Sequence, residues 1–197
     1  MKRFLGALVA TACIAASPAQ ATDPNVLLGK SASAVLFGSG SLTGGDFSLV
    51  DTLTDGNFLA EQTNWQTGTV WWQPSSANFL GIQIDLGGSF ILSAFKVQVD
   101  NNENYRFEYF DGTWNSLASQ VPGVIGFGMM TRDVVLAPGS EIVASALRLF
   151  PLGGDGAYAA SEIQAFGVPV PEPGTYLMML AGIGFLGFMV RRRISWR

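Results

Sequence analysis

The sequence predicts an all-β protein whose strands pack as a sandwich, and three observations support this. Apolar and polar residues alternate in short runs such as residues 79–86, FLGIQIDL, and a period of two is typical of strands with one buried face. Turn-forming pairs such as Gly87-Gly88 separate the runs. Residues 22–167 contain no long segment with helical periodicity. Antiparallel sheets packed face to face are the natural way to bury such faces.

The N-terminus is typical of a secretory signal peptide, which we predict as a helix over residues 1–21. Lys2 and Arg3 precede a long apolar run, and Ala19-Gln20-Ala21 is a small-residue cleavage site. Cys13, the only cysteine, lies inside this signal. Lipidation of Cys13 is the alternative, which Ala10 disfavours because lipoprotein signals prefer Leu at that position. The exported domain would therefore have no disulfide and would depend on its core for stability.

Residues 22–167 form the predicted sandwich domain. Residues 25–30 are predicted as a strand, and the Ser- and Gly-rich residues 31–45 as the loop after it. Alternation then assigns apolar residues to a buried face and leaves Lys96 and Gln98 on the other. The residues predicted to face the core are Leu80, Ile82, Ile84, Leu86, Phe95, Val97, Val99, Tyr105, Phe107, Tyr109, Trp114, Leu147 and Leu149.

The C-terminus is typical of a membrane segment. A Pro-rich linker at residues 168–174 precedes an uncharged apolar run at 175–190, and three arginines follow within the tail that ends at residue 197. As a helix the run extends about 24 Å, against about 30 Å for a bilayer core. Because cationic residues beside a span resist translocation, the domain is predicted to face outward. A buried core helix is the alternative, since three glycines dilute the run, but the terminal arginines disfavour it.

This tail resembles the PEP-CTERM sorting signal of Gram-negative bacteria, which combines a Pro-Glu-Pro motif, an apolar segment and a terminal arginine cluster. The resemblance implies that an exosortase, a membrane transpeptidase, recognises the motif and removes the span. It also implies transient anchoring in the inner membrane, followed by residence in the cell envelope or the extracellular matrix. The residues that carry the resemblance are Pro171, Glu172, Pro173, Arg191, Arg192 and Arg193.

Charge and composition exclude several classes of function. Six of the 11 basic residues lie in the two predicted signals, which leaves 5 basic and 15 acidic residues, a net charge of about −10. No nucleic-acid partner is expected, because phosphate binding requires clustered Lys and Arg. The chain has no His and no Cys after the signal, so the common nucleophile–base pairs are absent. We predict no enzyme activity and no organic cofactor; a glycosidase-like carboxylate pair is the open alternative.

Five stretches lie in order along the predicted domain: residues 25–33 (NVLLGKSAS), 53–57 (LTDGN) followed by Trp65, 82–87 (IQIDLG), 105–114 (YRFEYFDGTW) and 161–167 (SEIQAFG). In this order they resemble the discoidin or coagulation factor 5/8 type C family and related carbohydrate-binding modules. The resemblance implies an eight-stranded, galactose-binding-like jelly roll with ligand-binding loops at one end. It covers nearly the whole predicted domain.

The same resemblance implies a structural calcium ion that ties the N-terminal loops to the last strand. Asp55, Thr63 and Glu162 match the positions of its ligands. Calcium takes about six to eight oxygen ligands, which carboxylates, hydroxyls and backbone carbonyls supply. The alternative is that Asp55 caps a turn and that Glu162 is a solvated charge at a sheet edge.

Candidate sugar contacts come from a stretch that departs from the family, residues 67–81, which adds Trp71 and Trp72. Adjacent strand residues face opposite ways, so one indole can join the core while the other stacks on a sugar ring. Packing of both indoles under a loop is the alternative. Asn102 and Asn104, in a polar loop, are candidates to hydrogen-bond sugar hydroxyls, although turn formation explains them equally well.

Two hypotheses of function follow. The first is an exported, non-catalytic cell-surface or matrix protein that binds exopolysaccharide or another glycan through its discoidin-like domain. The second is a structural matrix or coat protein that acts through protein–protein contacts without specific sugar binding.

Overall fold

The computed structural model describes residues 23–37, 42–75, 79–121, 126–171, 174, 178–183 and 185. The predicted signal helix lies outside these residues. The described residues between 23 and 171 form nine strands and one short 3-10 helix, Val50–Thr54, which confirms the all-β prediction for the domain. The strands are β1 (Ala32–Phe37), β2 (Leu42–Asp46), β3 (Val70–Pro74), β4 (Phe79–Asp100), β5 (Asn104–Phe110), β6 (Trp114–Val121), β7 (Met129–Val135), β8 (Ile142–Gly153) and β9 (Tyr158–Pro169).

Strand β4 belongs to two sheets, because its two halves have different neighbours. The part up to Asp85 lies between β1 and β8. Phe90 to Leu92 lie between β8 and β9, and the part from Ala94 lies between β7 and β9. Beyond β8 follow β5 and β6, and beyond β9 follow β3 and β2. We call β1, the first half of β4, β8, β5 and β6 the first sheet. The second sheet contains β2, β3, β9, the second half of β4, and β7.

A bend in β4 replaces the turn that the sequence predicted at Gly87-Gly88. That prediction is wrong, since β4 continues without reversal from Phe79 to Asp100. The Asp85 carboxylate accepts a hydrogen bond from the Gly87 N–H at 2.8 Å. Gly87 has a φ of +71°, a left-handed conformation that glycine adopts without strain. The register with β8 shifts at this point, so the glycine pair bends the strand from one sheet into the other.

The first described residues differ from the predicted strand and loop. Residues 25–30 form a turn with one bridge, between Asn25 and Phe166. The Val26 N–H donates to the Ala165 carbonyl at 2.8 Å, so this segment lies along the end of β9. Strands β1 and β2 form instead within the predicted loop, because pairing with β4 and β3 satisfies their backbone groups.

The core lies between the two sheets, where alternation predicted it. Phe95 of the second sheet stacks on Phe107 of the first, with ring centroids 4.9 Å apart. The Tyr105 hydroxyl reaches β9 and accepts a hydrogen bond from the Ala159 N–H at 3.1 Å. Of the predicted core residues, Tyr109 and Trp114 are only half-buried, and the other eleven are buried. Each such large apolar side chain contributes about 1.5–3 kcal/mol relative to full exposure.

The connection between β2 and β3, residues 47–69, covers the outer face of the second sheet; we call it the covering segment. Gln98 of β4 projects into it: its Oε1 accepts from the Leu59 N–H at 2.8 Å, and its Nε2 donates to the Leu59 carbonyl at 2.9 Å. The Glu61 carboxylate accepts from the Thr131 N–H of β7 at 3.1 Å. Gln98, predicted on the solvent side, is therefore completely buried, because the covering segment replaces water as its partner.

Candidate ligand and cation sites

The two adjacent tryptophans of β3 face opposite sides of the second sheet. Trp72 is completely buried and packs on Tyr158, with ring centroids 6.0 Å apart. The prediction that Trp72 contacts a ligand is therefore wrong, because strand alternation turns its indole into the core. Trp71 points outward, is half-buried, and makes an edge contact with Trp65 of the covering segment at 5.3 Å. Trp71 stays a candidate ligand contact.

Asn102 and Asn104 lie at one end of the sandwich, where β4 turns into β5, and both are exposed. The Asn102 amide donates to Asp155 Oδ2 at 3.0 Å, which joins this turn to the β8–β9 loop. Burial opposes ionisation of Asp155, but hydrogen bonds from the Ala157 N–H, Glu103 and Asn102 outweigh it and lower the pKa of Asp155. The structure therefore groups two exposed amides with an ionised carboxylate.

Glu103 lies beneath this surface and connects its two loops. Its side chain is 1% exposed, and its Oε1 accepts from the Asp155 N–H at 3.1 Å. Burial, together with a hydrogen bond to the Asp155 carboxylate, raises the pKa of Glu103 to about 9, so Glu103 is protonated at neutral pH. Gly154, with a φ of +143°, allows the close approach, because a Cβ at that position would lie 2.7 Å from the Glu103 side chain.

Phe127 adds an exposed ring to the same end, and sequence analysis missed it. Its side chain is 62% exposed. It lies in the connection before β7, next to Gly128, whose carbonyl accepts a hydrogen bond from the Asn101 N–H at 3.2 Å. The ring is thus carried by a loop that contacts the β4–β5 turn. Glycines on both sides of Phe127 were the signal that could have found it, because they mark a loop.

Two of the three predicted calcium ligands, Asp55 and Glu162, are neighbours where the covering segment lies against β9. Glu162 of β9 is completely buried, and its Oε1 accepts from the Gly56 N–H at 3.0 Å and from the Gln164 amide at 3.2 Å. Its Oε2 is buried and has no hydrogen-bond partner among the described residues. Burial, together with the neighbouring carboxylate of Asp55, raises the pKa of Glu162 to about 7.

Thr63, the third predicted ligand, makes its contacts elsewhere. Its hydroxyl donates to the Ala60 carbonyl at 2.6 Å, and its own carbonyl accepts from the Met129 N–H at 2.8 Å. Within the described ranges, no group of three or more acidic or Cys side chains could hold a metal ion. A cation here would have Asp55 and Glu162 as its charged ligands, with carbonyl or water oxygens around them. The unpartnered Glu162 oxygen and the oxygen-only donor set fit calcium.

Trp114 was predicted to pack in the core, and that prediction is wrong. It begins β6 directly opposite Phe110 and is half-buried on the outer face of the first sheet. The two rings are 5.2 Å apart between centroids. The guanidinium carbon of Arg148 lies 3.6 Å from the centroid of the Trp114 ring. The Trp114 ring therefore faces outward, and the Arg148 guanidinium covers part of it.

The sorting residues lie at the boundary of the described chain. Strand β9 ends at Pro169, and Pro171 is exposed. Glu172, Pro173 and the three arginines lie outside the described residues. Residues 178–183 are helical and exposed. Among the residues described, none of the helices is long and apolar enough to span a membrane; the predicted span extends beyond them on both sides.

Comparison with known proteins concerns the tail and the sandwich separately. The PEP-CTERM protein-sorting motif matches residues 169–193. A search of curated proteins gave no match. The lectin binding domain of Lectinolysin, solved as a mutant complexed with Lewis b, has a TM-score of 0.50 at 15% identity and covers 73% of this chain and 95% of that chain.

Two further similar structures are carbohydrate-binding modules. A fucose binding module of Streptococcus pneumoniae has a TM-score of 0.49 at 15% identity, covering 75% of this chain and 97% of that chain. Chitosan-binding module 1 of a chitosanase/glucanase from Paenibacillus sp. IK-5 has a TM-score of 0.49 at 19% identity, covering 73% and 99%. The chain thus carries a PEP-CTERM motif, which indicates an exported protein, and its sandwich has the galactose-binding-like fold.

Proposed function

We propose that this protein is an exported, non-catalytic surface protein that binds glycans through the loop end of its sandwich. One observation carries this: Asn102 and Asp155 form a hydrogen-bonded polar pair at the end where the ring of Phe127 is exposed. Amide and carboxylate groups bind sugar hydroxyls, and an aromatic ring covers the apolar face of a pyranose. The lectin binding domain that shares the fold was solved with Lewis b, which is consistent with this ligand class.

The sorting motif supports the route by which the domain reaches the surface. An exosortase would recognise residues 171–173 of the matched motif and remove the apolar segment 175–190, which would anchor the chain in the inner membrane until then. The domain would remain in the cell envelope or extracellular matrix. Its composition suits a binding role, since the chain has no His and its only Cys lies at position 13.

Asp55 and Glu162 would hold one structural calcium ion, which would tie the covering segment to β9. Bound calcium in excess, at 100 times its Kd, stabilises a fold by about 2.7 kcal/mol. The melting temperature of the full chain should therefore rise in calcium and fall in chelator, and the rise should be larger at pH 8 than at pH 5.5, because calcium binds the ionised Glu162.

Variants test this ion directly. Glu162→Gln and Asp55→Asn should abolish the calcium-dependent rise in melting temperature. Asp51→Asn, an exposed carboxylate on the 3-10 helix, should leave it intact. A melting temperature that is insensitive to calcium at both pH values would reject the ion.

Affinity electrophoresis in gels containing the producing cell's own exopolysaccharide tests glycan binding. The full chain should be retarded, and Asn102→Ala and Phe127→Ala should each weaken retardation by about tenfold in Kd, a loss of about 1.4 kcal/mol. Asn64→Ala, an exposed Asn on the covering segment, is the matched control. Absence of retardation, combined with calcium-dependent self-association that a chelator disperses, would instead favour the structural matrix protein.

A further inference from the structure

The outer face of the first sheet carries a depression that the covering segment does not reach. Strand pairing places residues of four strands side by side on this face. The row contains one small residue, Ala146, with an exposed carboxylate on one side and two aromatic rings on the other. In spatial order across β4, β8, β5 and β6, the row is Asp85, Ala146, Phe110 and Trp114.

The depression has the size of a ligand site. Its volume is about 440 Å³, within the range of about 300–1,000 Å³ that is usual for small-molecule pockets. Ala146 forms its floor, because its short side chain leaves the space between Asp85 and Phe110 unfilled. Strand alternation points the neighbouring Leu147 into the core, so Ala146 faces the depression.

The polar groups around the depression are held in place by their neighbours. Arg148 lies over the Trp114 ring at 3.6 Å, and its Nε donates to Gln83 Oε1 at 2.8 Å. These two contacts fix the plane of the guanidinium. Fixed donors and acceptors beside an aromatic wall lose little conformational entropy when a ligand binds.

Charge on this face is balanced. Asp85 and Arg148 line the depression, and the adjacent Arg106 and Glu108 form an ion pair at 2.9 Å. A face with equal numbers of both signs gives no net attraction for an acidic ligand. Hydroxyl groups both donate and accept, so a carboxylate and a guanidinium in the same depression suit a ligand rich in hydroxyls.

We propose that this depression is a second saccharide site, which binds a neutral hexopyranose unit of a glycan. The apolar face of the sugar packs on Phe110 and the edge of Trp114, while its hydroxyls bond to Asp85, Arg148 and Gln83. This site rests on the proposed function only for its ligand class, because it lies on a sheet face and not at the loop end.

The test fills the depression without disturbing the core. In Ala146→Leu the added side chain occupies the sugar volume, and Phe110→Ala removes the aromatic wall. Ala137→Leu, the same substitution at an exposed position of the connection between β7 and β8, is the matched control. Each full-length variant is run in affinity electrophoresis against galactan, glucan, mannan and, as the acidic probe, polygalacturonate, and its urea midpoint reports folding. Ala146→Leu and Phe110→Ala should each weaken binding to a neutral polysaccharide at least tenfold, and Ala137→Leu should not.

Combining variants separates this site from the loop end. If Asn102→Ala with Phe127→Ala leaves binding that Ala146→Leu removes, the sheet-face site stands and the loop-end location fails. If the loop-end double variant abolishes all binding and Ala146→Leu changes nothing, the sheet-face site is overturned. Retardation by polygalacturonate alone would overturn the neutral ligand class, and no retardation by any probe would overturn both sites.

Discussion

The outer faces of the two sheets differ in what satisfies their polar side chains. On the second sheet, Gln98 projects outward from β4 but is completely buried, because Leu59 of the covering segment binds its amide. On the first sheet, Gln83 projects outward from the same strand, is half-exposed, and bonds to Arg148. One strand thus places the same residue type in two environments. The contrast shows that a long connection, and not strand alternation, decides which polar residues become buried.

The two glutamines of β4 should therefore differ most in their contribution to stability. Gln98→Leu leaves the N–H and carbonyl of Leu59 without partners, which should lower the free energy of unfolding by about 3 kcal/mol. Gln83→Leu, the matched substitution on the open face, should lower it by about 0.5 kcal/mol or less, because water replaces the lost contact. Urea unfolding of the full chain measures both. Equal losses would mean that the covering segment does not bury Gln98 in solution.

The free energy of unfolding should depend on pH through two buried carboxyl groups, Glu162 under the covering segment and Glu103 at the loop end. Unfolded Glu loses its proton near pH 4.5, whereas the folded residues keep theirs up to about 7 and about 9. The native state therefore binds more protons, and the free energy of unfolding should fall as pH rises from 4.5 to 9, by about 2 kcal/mol after solvent screening.

Isosteric variants divide this pH dependence between the two residues in calcium-free buffer. Glu162→Gln should halve the slope between pH 4.5 and 7, where both residues contribute, and Glu103→Gln should remove the other half together with the whole fall between pH 7 and 9. Urea midpoints across this interval measure both parts. A stability that rises over the same interval would contradict the burial of both carboxyl groups.

Alanine variants of the two outward-facing tryptophans, Trp71 and Trp114, should show the smallest difference in stability. Trp71→Ala removes the edge contact that holds Trp65 of the covering segment and should cost about 1.5 kcal/mol. Trp114→Ala removes a ring whose neighbours are Phe110 and Arg148 on an open face and should cost about 0.5 kcal/mol. Thermal unfolding compares the two. A larger cost at Trp114 would show that the open face contributes more to stability than its exposure indicates.

Much of the fold could be predicted because alternation reports the buried face directly. The runs around Ile82, Val97 and Leu149 were assigned correctly from their period of two. The Gly87-Gly88 bend could not be predicted, since a glycine pair permits both a reversal and a bulge, and only pairing with distant strands selects between them. The burial of Gln98 likewise depends on a loop about forty residues away in sequence.

The residues of the candidate sites were harder to predict from the sequence than the fold was. Asn102 and Asn104 could be selected because polar residues cluster at turns, and Asp55 and Glu162 came from a family resemblance. Trp114 was assigned wrongly, and the sequence left open which of Trp71 and Trp72 joins the core, because alternation alone does not reveal which face of a strand is buried. The first sheet's depression depends on which residues lie opposite Ala146, and register is a tertiary property.

Both ends of the sandwich leave it at the same edge, since the Gly167 N–H donates to the Pro24 carbonyl at 3.2 Å. Strand β9 continues from there to Tyr158, next to the loop that carries Asp155. Its 12 residues span roughly 36 Å from first to last Cα. If the chain is held at its C-terminus, the loop end with Asp155 would therefore lie at the opposite end of β9 from the point of attachment.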